Sequence, residues 1–248
     1  MTTSRTSPLT SSYGEDLMNQ DRTTVTVWSD IGCPWATLAL AILRRRADQR
    51  GQALLIDHRA FPLELFNRRP TPKPIVDAEV VAIAGCRPEL GWKPWTAPDH
   101  TYAVTTLPAM EAVQACKDPE IGGLRGSDEF DSALRKAFYV DGRCISVHAV
   151  ILDVAQRCEH VDADRLESAL AQGIGRRDVF DQWRIAQRPE IEGSPQIFTA
   201  YGAFHNPGAA YHWTAAPPAG FPRLESYTLD WAEGLLEVMA HGDNASGL

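Results

Sequence analysis

The chain has 248 residues, enough for one large domain or a domain with an insertion, and its 44% hydrophobic and 23% charged content is ordinary for a globular protein. A formal net charge of −8 argues against nucleic acid as a general partner and against attraction to anionic membranes. No apolar run approaches the roughly 18–20 residues of a membrane span.

Residues 1–19 are polar and rich in Ser and Thr, with no apolar core like that of a secretory signal. A disordered segment is expected over 1–21. The run 23–28, Thr-Thr-Val-Thr-Val-Trp, is rich in β-branched residues and predicts a first strand. Residues 37–49 follow with Leu38, Ala41, Ile42 and Arg45 at helical spacing. The stretch between them, Ser29-Asp30-Ile31-Gly32-Cys33-Pro34-Trp35-Ala36, is then a strand-to-helix turn. It puts Cys33 at the N-cap and Pro34 at the first helical position, where the fixed φ fits and the missing N–H costs nothing. Free N–H groups and the positive dipole end favour an anionic sulfur, so Cys33 is expected to be a reactive thiolate with a depressed pKa. Asp30 opposes this, because a nearby carboxylate raises a thiol pKa. Trp35 is expected to pack beside the turn and shape the mouth of the site. Ala36 is a good helix former whose methyl moves no proton.

Arg44-Arg45-Arg46 comes near the end of this helix, where cations suit the dipole, and reads as a solvated face. Residues 53–59 predict a second strand, parallel to the first across a βαβ crossover. Pro62, Pro70, Pro72 and Pro74 mark an irregular connection. Helices are expected over 75–84, 105–116, 128–139, 146–158 with Ser146 as N-cap, a segment capped by Asp162, and 176–187; residues 85–100 read as loop. Strand character returns at 196–200, after Gly193-Ser194-Pro195, with a second short strand near 203–205. A last helix is expected over 228–239.

The five cysteines are Cys33, Cys86, Cys116, Cys144 and Cys158. None forms a C-x-x-C and no zinc spacing appears, so a reducing cytoplasm with mostly free thiols is the simplest compartment. Cys116 and Cys158 fall on apolar helix faces and read as core. Cys86 and Cys144 fall in expected loops and are candidates for a resolving thiol only if a close approach to Cys33 allows it. His205 and His212 lack further ligand spacing, so loop or packing roles are expected and no metal site.

The turn around Cys33 resembles the active site of the DsbA-like branch of thioredoxin-fold proteins, nearest the FrnE-type group, which carry Ser-Asp-x-x-Cys-Pro-Trp-Cys at the end of the first strand. Here Ala36 stands where that pattern has its second cysteine. The order of elements fits the same family, and Gly-Ser-Pro before a strand resembles its cis-proline loop. The resemblance implies an α/β thioredoxin-like fold (βαβ…ββα) with a large all-helical insertion: residues 22–65 and 188–248 as the thioredoxin-like domain, 66–187 as the insertion. It implies a catalytic Cys33, with Pro34, Trp35, Ser194 and Pro195 contacting substrate, and Ser194 backbone groups left free for an extended chain.

Without a second cysteine, the implied activity is a monothiol thiol-disulfide exchange cleared by an outside thiol. No tightly bound cofactor is expected; a low-molecular-weight thiol would serve as co-substrate, and the expected partner is a small-molecule thiol or a protein disulfide or thiol. A homodimer is left open. A second reading is a thiol-cofactor transferase or isomerase similar to kappa-class glutathione transferases and 2-hydroxychromene-2-carboxylate isomerases, which carry serine where Cys33 stands. A third is a redox-inactive binding module that kept the fold.

Overall fold

The computed structural model describes residues 24–244; the expected disordered segment 1–21 lies outside them. Strand β1 (Thr24–Ser29) is buried along its whole length and lies inside a four-stranded sheet of order β2-β1-β3-β4. It pairs in parallel with β2 (Leu55–Ala60), as the βαβ reading requires, and antiparallel with β3 (Gln196–Thr199). β4 (Gly202–His205) continues antiparallel from β3. Seven helices separate β2 from β3: α2 (Leu63–Asn67), α3 (Lys73–Cys86), α4 (Leu107–Ala115), α5 (Gly123–Tyr139), α6 (His148–Ala155), α7 (Ala163–Ala171) and α8 (Arg176–Ile185). After β4 comes a hairpin of β5 (Ala209–Trp213) and β6 (Pro222–Tyr227), then α9 (Asp230–Asn244). The order is thioredoxin-like, βαβ then ββα, with an all-helical insertion.

Alternation along β1 divides the core. Val25 and Val27 join a large cluster with Leu40, Ile56, Leu134 and Leu236, whereas Trp28 turns to a smaller one with Phe61, Ile191 and Phe198. The large cluster runs without a break from the sheet into the inserted helices.

Helix α1 (Pro34–Arg50) differs from the expected amphipathic pattern. Leu38, Ala39, Leu40, Ile42, Leu43 and Ala47 are buried, while Arg45 is exposed. Both α3 and α9 pack on it, so more than one face is covered. Arg44 also corrects the solvated-face reading. Its Nη2 reaches Asp128 Oδ1 at 2.6 Å and Asp131 Oδ2 at 3.0 Å. Ser146 does not cap α6; its hydroxyl donates to Thr105 O at 2.6 Å, and Val147 takes the N-cap position. Asp162 does cap α7, accepting from Arg165 N at 3.0 Å.

The insertion grips the end of β1 and the turn after it chiefly through α5. Arg135 of α5 is 3% exposed. Its Nη1 donates to Asp30 O at 3.2 Å and Thr37 Oγ1 at 2.8 Å; its Nη2 donates to Ser29 Oγ at 2.9 Å. Asp131, one turn earlier, accepts from Arg135 Nε at 2.9 Å and Nη2 at 3.0 Å. Tyr139, one turn later, donates its hydroxyl to Ile31 O at 3.1 Å. Burial alone would raise the Asp131 carboxyl, but the Arg135 guanidinium leads a set of charges that holds it well below the usual range. Asp131 therefore contributes stability above the unfolded carboxylate pKa of about 3.9, and loses it as pH falls toward its depressed folded value.

Replacing Arg135 with Met takes the nearest cation from Asp131, leaves it Arg44 alone at 3.0 Å, and strips the Asp30 carbonyl and the Ser29 and Thr37 hydroxyls of their buried donor. Urea unfolding at pH 7 is expected to show a loss of about 3–5 kcal/mol, the usual result of breaking a buried pair from one side. A loss under 1 kcal/mol would mean that the grip is dispensable.

Candidate active site

Cys33 sits at the N-cap of α1 with φ −88° and ψ 111°, and Pro34 follows at the first helical position. The turn closes with Cys33 N donating to Asp30 O at 3.1 Å and Thr37 N donating to Cys33 O at 3.1 Å. Asp30 holds it from beneath. Its Oδ1 accepts from Gly32 N and Thr106 Oγ1, both at 2.7 Å, and its Oδ2 accepts from Leu63 N at 2.8 Å. The Ser194–Pro195 peptide bond is cis, and the Ser194 hydroxyl accepts from Asp30 N at 3.0 Å. The loop before β3 is thereby fixed against the turn.

The thiol of Cys33 donates to Ser194 O at 3.3 Å and accepts from Ala36 N at 3.5 Å. The Ser194 carbonyl, expected from sequence to be left free for a substrate backbone, thus already accepts from the Cys33 thiol. The expected thiolate also meets a correction. Cys33 is only 6% exposed, and its pKa is pushed up from the usual value to about 11. Burial is the main cause, and the charges of Glu79 and, to a lesser degree, Asp30 add to it. The hydrogen bonds that Cys33 makes with Ser194 and Ala36 offset only part. Desolvation of the anion outweighs the helix N-terminus here.

Cys33 nonetheless opens on space. It lines a cavity of about 280 Å³ together with Trp35, Arg69, Glu79, Ser194 and Tyr211. Trp35 forms one wall, as expected for the mouth of the site. It is 4% exposed and stacks on Tyr211 of β5, ring centroids 4.0 Å apart at 13°. Its Nε1 donates to Glu79 Oε1 at 3.0 Å. Glu79 is itself 9% exposed, and burial raises its carboxyl to about 7 against the opposing Trp35 hydrogen bond.

Neither Cys86, exposed at the end of α3, nor Cys144 lines this cavity, so the structure brings no resolving thiol to Cys33. Cys116 is buried and Cys158 partly so. Among the described residues no His, Cys, Asp and Glu group could hold a metal ion, and no helix is long and apolar enough to cross a membrane. His212 instead bonds Glu225 across the β5–β6 hairpin at 3.0 Å.

Glu79, Arg69 and Tyr211 were not among the expected site residues. Glu79 had a visible signal: it sits at helical spacing with Val76, Val80 and Ile83, a carboxyl on an otherwise apolar face. Tyr211 had none, because 206–213 lacks alternating hydrophobicity.

Thiolate absorbance at 240 nm, taken as the difference between the native protein and its Cys33→Ser variant, should titrate well above the free-cysteine value of about 8.5. A midpoint at or below that value would overturn the burial argument.

No protein-family model matches the chain, and no curated protein matches it in sequence. Solved structures do match in fold. The cytosolic disulfide reductase DsbM from Pseudomonas aeruginosa, with GSH, is 16% identical over 89% of this chain and 99% of its own, with a TM-score of 0.58. A probable DsbA oxidoreductase from Streptomyces coelicolor is 15% identical over 88% of each chain, with a TM-score of 0.55. A 2-hydroxychromene-2-carboxylate isomerase is 12% identical over 73% of this chain and 87% of its own, with a TM-score of 0.51. The chain has the DsbA-like form of the thioredoxin fold.

Proposed function

We propose that this chain is a DsbA-like thiol-dependent oxidoreductase, with an active-site turn of the FrnE type, that works through Cys33 alone. The observation that carries the reading is the placement of the Cys33 sulfur, at a helix N-terminus, beside the cis Ser194–Pro195 bond and on the wall of an open cavity. The fold likeness to a cytosolic disulfide reductase determined with GSH supports a small peptide thiol as co-substrate and a reducing cytoplasm as its setting. The cavity, about 280 Å³, is near the low end of small-molecule sites at roughly 300–1,000 Å³. Arg69 lies on its wall and makes no ion pair among the described residues, so it is available to a carboxylate of such a thiol.

In this mechanism the Cys33 sulfur attacks one sulfur of a disulfide. A new S–S bond forms to Cys33, the old one breaks, and the leaving half departs as thiol. Ala36 cannot attack the adduct. A second small thiol does so, releasing its own mixed disulfide and returning Cys33 to the reduced form. Trp35, Pro34 and Ser194 flank the sulfur and would orient the incoming disulfide.

A second reading, a thiol-cofactor isomerase or transferase, is favoured by the raised Cys33 pKa, since such an enzyme does not need the protein's own thiolate. Incubation of the full chain with an oxidised tripeptide thiol separates them. The oxidoreductase reading expects one adduct by intact mass, located at Cys33, absent in Cys33→Ser and cleared by the reduced thiol. Arg69→Ala should raise KM for that disulfide roughly tenfold with kcat held, the weight of one charge-assisted hydrogen bond. No adduct, with saturable binding of the reduced thiol and turnover of an electrophile, would favour the second reading. Activity and binding indifferent to Cys33→Ser would leave a binding module.

A further inference from the structure

A thiol with a pKa near 11 presents only about one thiolate in 10⁴ at pH 7, and exchange rate follows the thiolate fraction. The proposed chemistry therefore calls for a group that takes the proton as the sulfur reacts. The cavity holds few candidates. Tyr211 is a phenol raised further by burial, and Arg69 is a cation without a free lone pair. Asp30 lies beneath the turn with both oxygens engaged by Gly32, Thr106 and Leu63.

Glu79 remains. It projects from α3 into the cavity that Cys33 lines. Its Oε1 is fixed by the indole N–H of Trp35, two residues along the same turn from Cys33. Its Oε2 has no hydrogen-bond partner among the described residues. We propose that Glu79 is the proton acceptor and donor for Cys33 during thiol-disulfide exchange, acting across the shared cavity. This rests on the oxidoreductase reading above.

The Cys33 Sγ–H proton passes to the Glu79 carboxylate, directly or through water in the cavity. The sulfur attacks a small disulfide, which is the oxidant, and its S–S bond breaks. The leaving thiolate takes the proton back from Glu79 and departs as thiol, so Glu79 ends as carboxylate.

The electrostatics support this direction. Burial lifts Glu79 to about 7, so it is part ionised and part protonated at neutral pH, where a general acid–base group works best. Its negative charge is one of the causes that raise Cys33. Once the proton has moved to Glu79 that charge is gone, and the thiolate is less opposed than the resting value implies. The site thus carries one negative charge shared between two groups. The other titratable groups facing Glu79 are Tyr211 of β5 and Arg69; at the far end of α3, Arg87 donates to Tyr227 of β6 at 3.2 Å and is set apart.

The test compares the full-length protein with its Glu79→Gln variant, whose amide oxygen can still accept from Trp35. Two quantities are read: the midpoint of the Cys33 thiolate titration, and the rate of exchange with an oxidised tripeptide thiol from pH 5.5 to 9. The native rate should rise with pH through an inflection near 7, as Glu79 ionises. In Glu79→Gln the titration midpoint should fall, because a negative charge is gone, yet the rate at pH 7.5 should also fall, by about 100-fold, with the inflection lost. Glu79→Asp, which keeps a carboxyl, should keep the inflection. Urea unfolding of each variant guards against a folding defect.

A merely opposing charge would give the same lower midpoint but a faster rate, and would overturn the proposal. So would a rate and midpoint that both stay put, which would leave Glu79 as the hydrogen-bond partner of Trp35. The Cys33→Ser variant keeps the two readings apart. Exchange that survives that substitution sinks the oxidoreductase reading itself, whereas exchange lost there but kept in Glu79→Gln sinks only the role given to Glu79.

Discussion

The buried Arg135 guanidinium is the contact on which the active-site turn depends. It binds the Asp30 carbonyl, the Ser29 and Thr37 hydroxyls and the Asp131 carboxylate. A guanidinium suits this task, since its planar fork serves several acceptors in fixed directions. Asp131 in turn takes Arg44 from α1, so one charged network joins the helix carrying the thiol to the inserted helix α5. The insertion is therefore part of the site's frame, and the continuous core running from sheet to helices makes the same point in hydrocarbon.

What this frame holds is a thiol caught between opposing influences. The helix N-terminus and the Ala36 N–H favour an anion, while burial and the carboxylates of Glu79 and Asp30 oppose it. Burial wins because the unpaired anion would lose most of its hydration, a larger quantity than a helix end supplies. The β5–β6 hairpin contributes to that burial. Tyr211 lies flat on Trp35, and the pair closes one side of the cavity. The result is a sulfur kept neutral at rest and shielded from bulk solvent, yet facing a space large enough for a small molecule.

Much of this arrangement was legible in the residues. The β-branched run before Cys33, the proline after it and the Gly-Ser-Pro before β3 located three segments that meet in space. The parallel pairing of β1 and β2 followed from the crossover between them. The rest was hidden for physical reasons. The pKa of Cys33 depends on its surroundings, and these include Glu79 of α3 and Tyr211 of β5, more than 40 residues and more than 170 residues away in the chain. Arg44 looked like one of three solvent cations because its partners, Asp128 and Asp131, lie on another helix. The β5–β6 hairpin carries Trp, Tyr and His without regular alternation, and its edges are set by packing on α3 rather than by local preference.

The most direct measurement is a crystal structure of the full chain carrying a mixed disulfide between Cys33 and a tripeptide thiol. The adduct is expected in the cavity bounded by Trp35, Arg69 and Ser194, with the sulfur released from the Ser194 carbonyl and the Arg135 contacts to Ser29, Asp30 and Thr37 unchanged. An adduct lying outside that cavity, or a turn pulled away from Arg135 to accommodate it, would contradict the view that this turn is a preformed site for a single reacting sulfur.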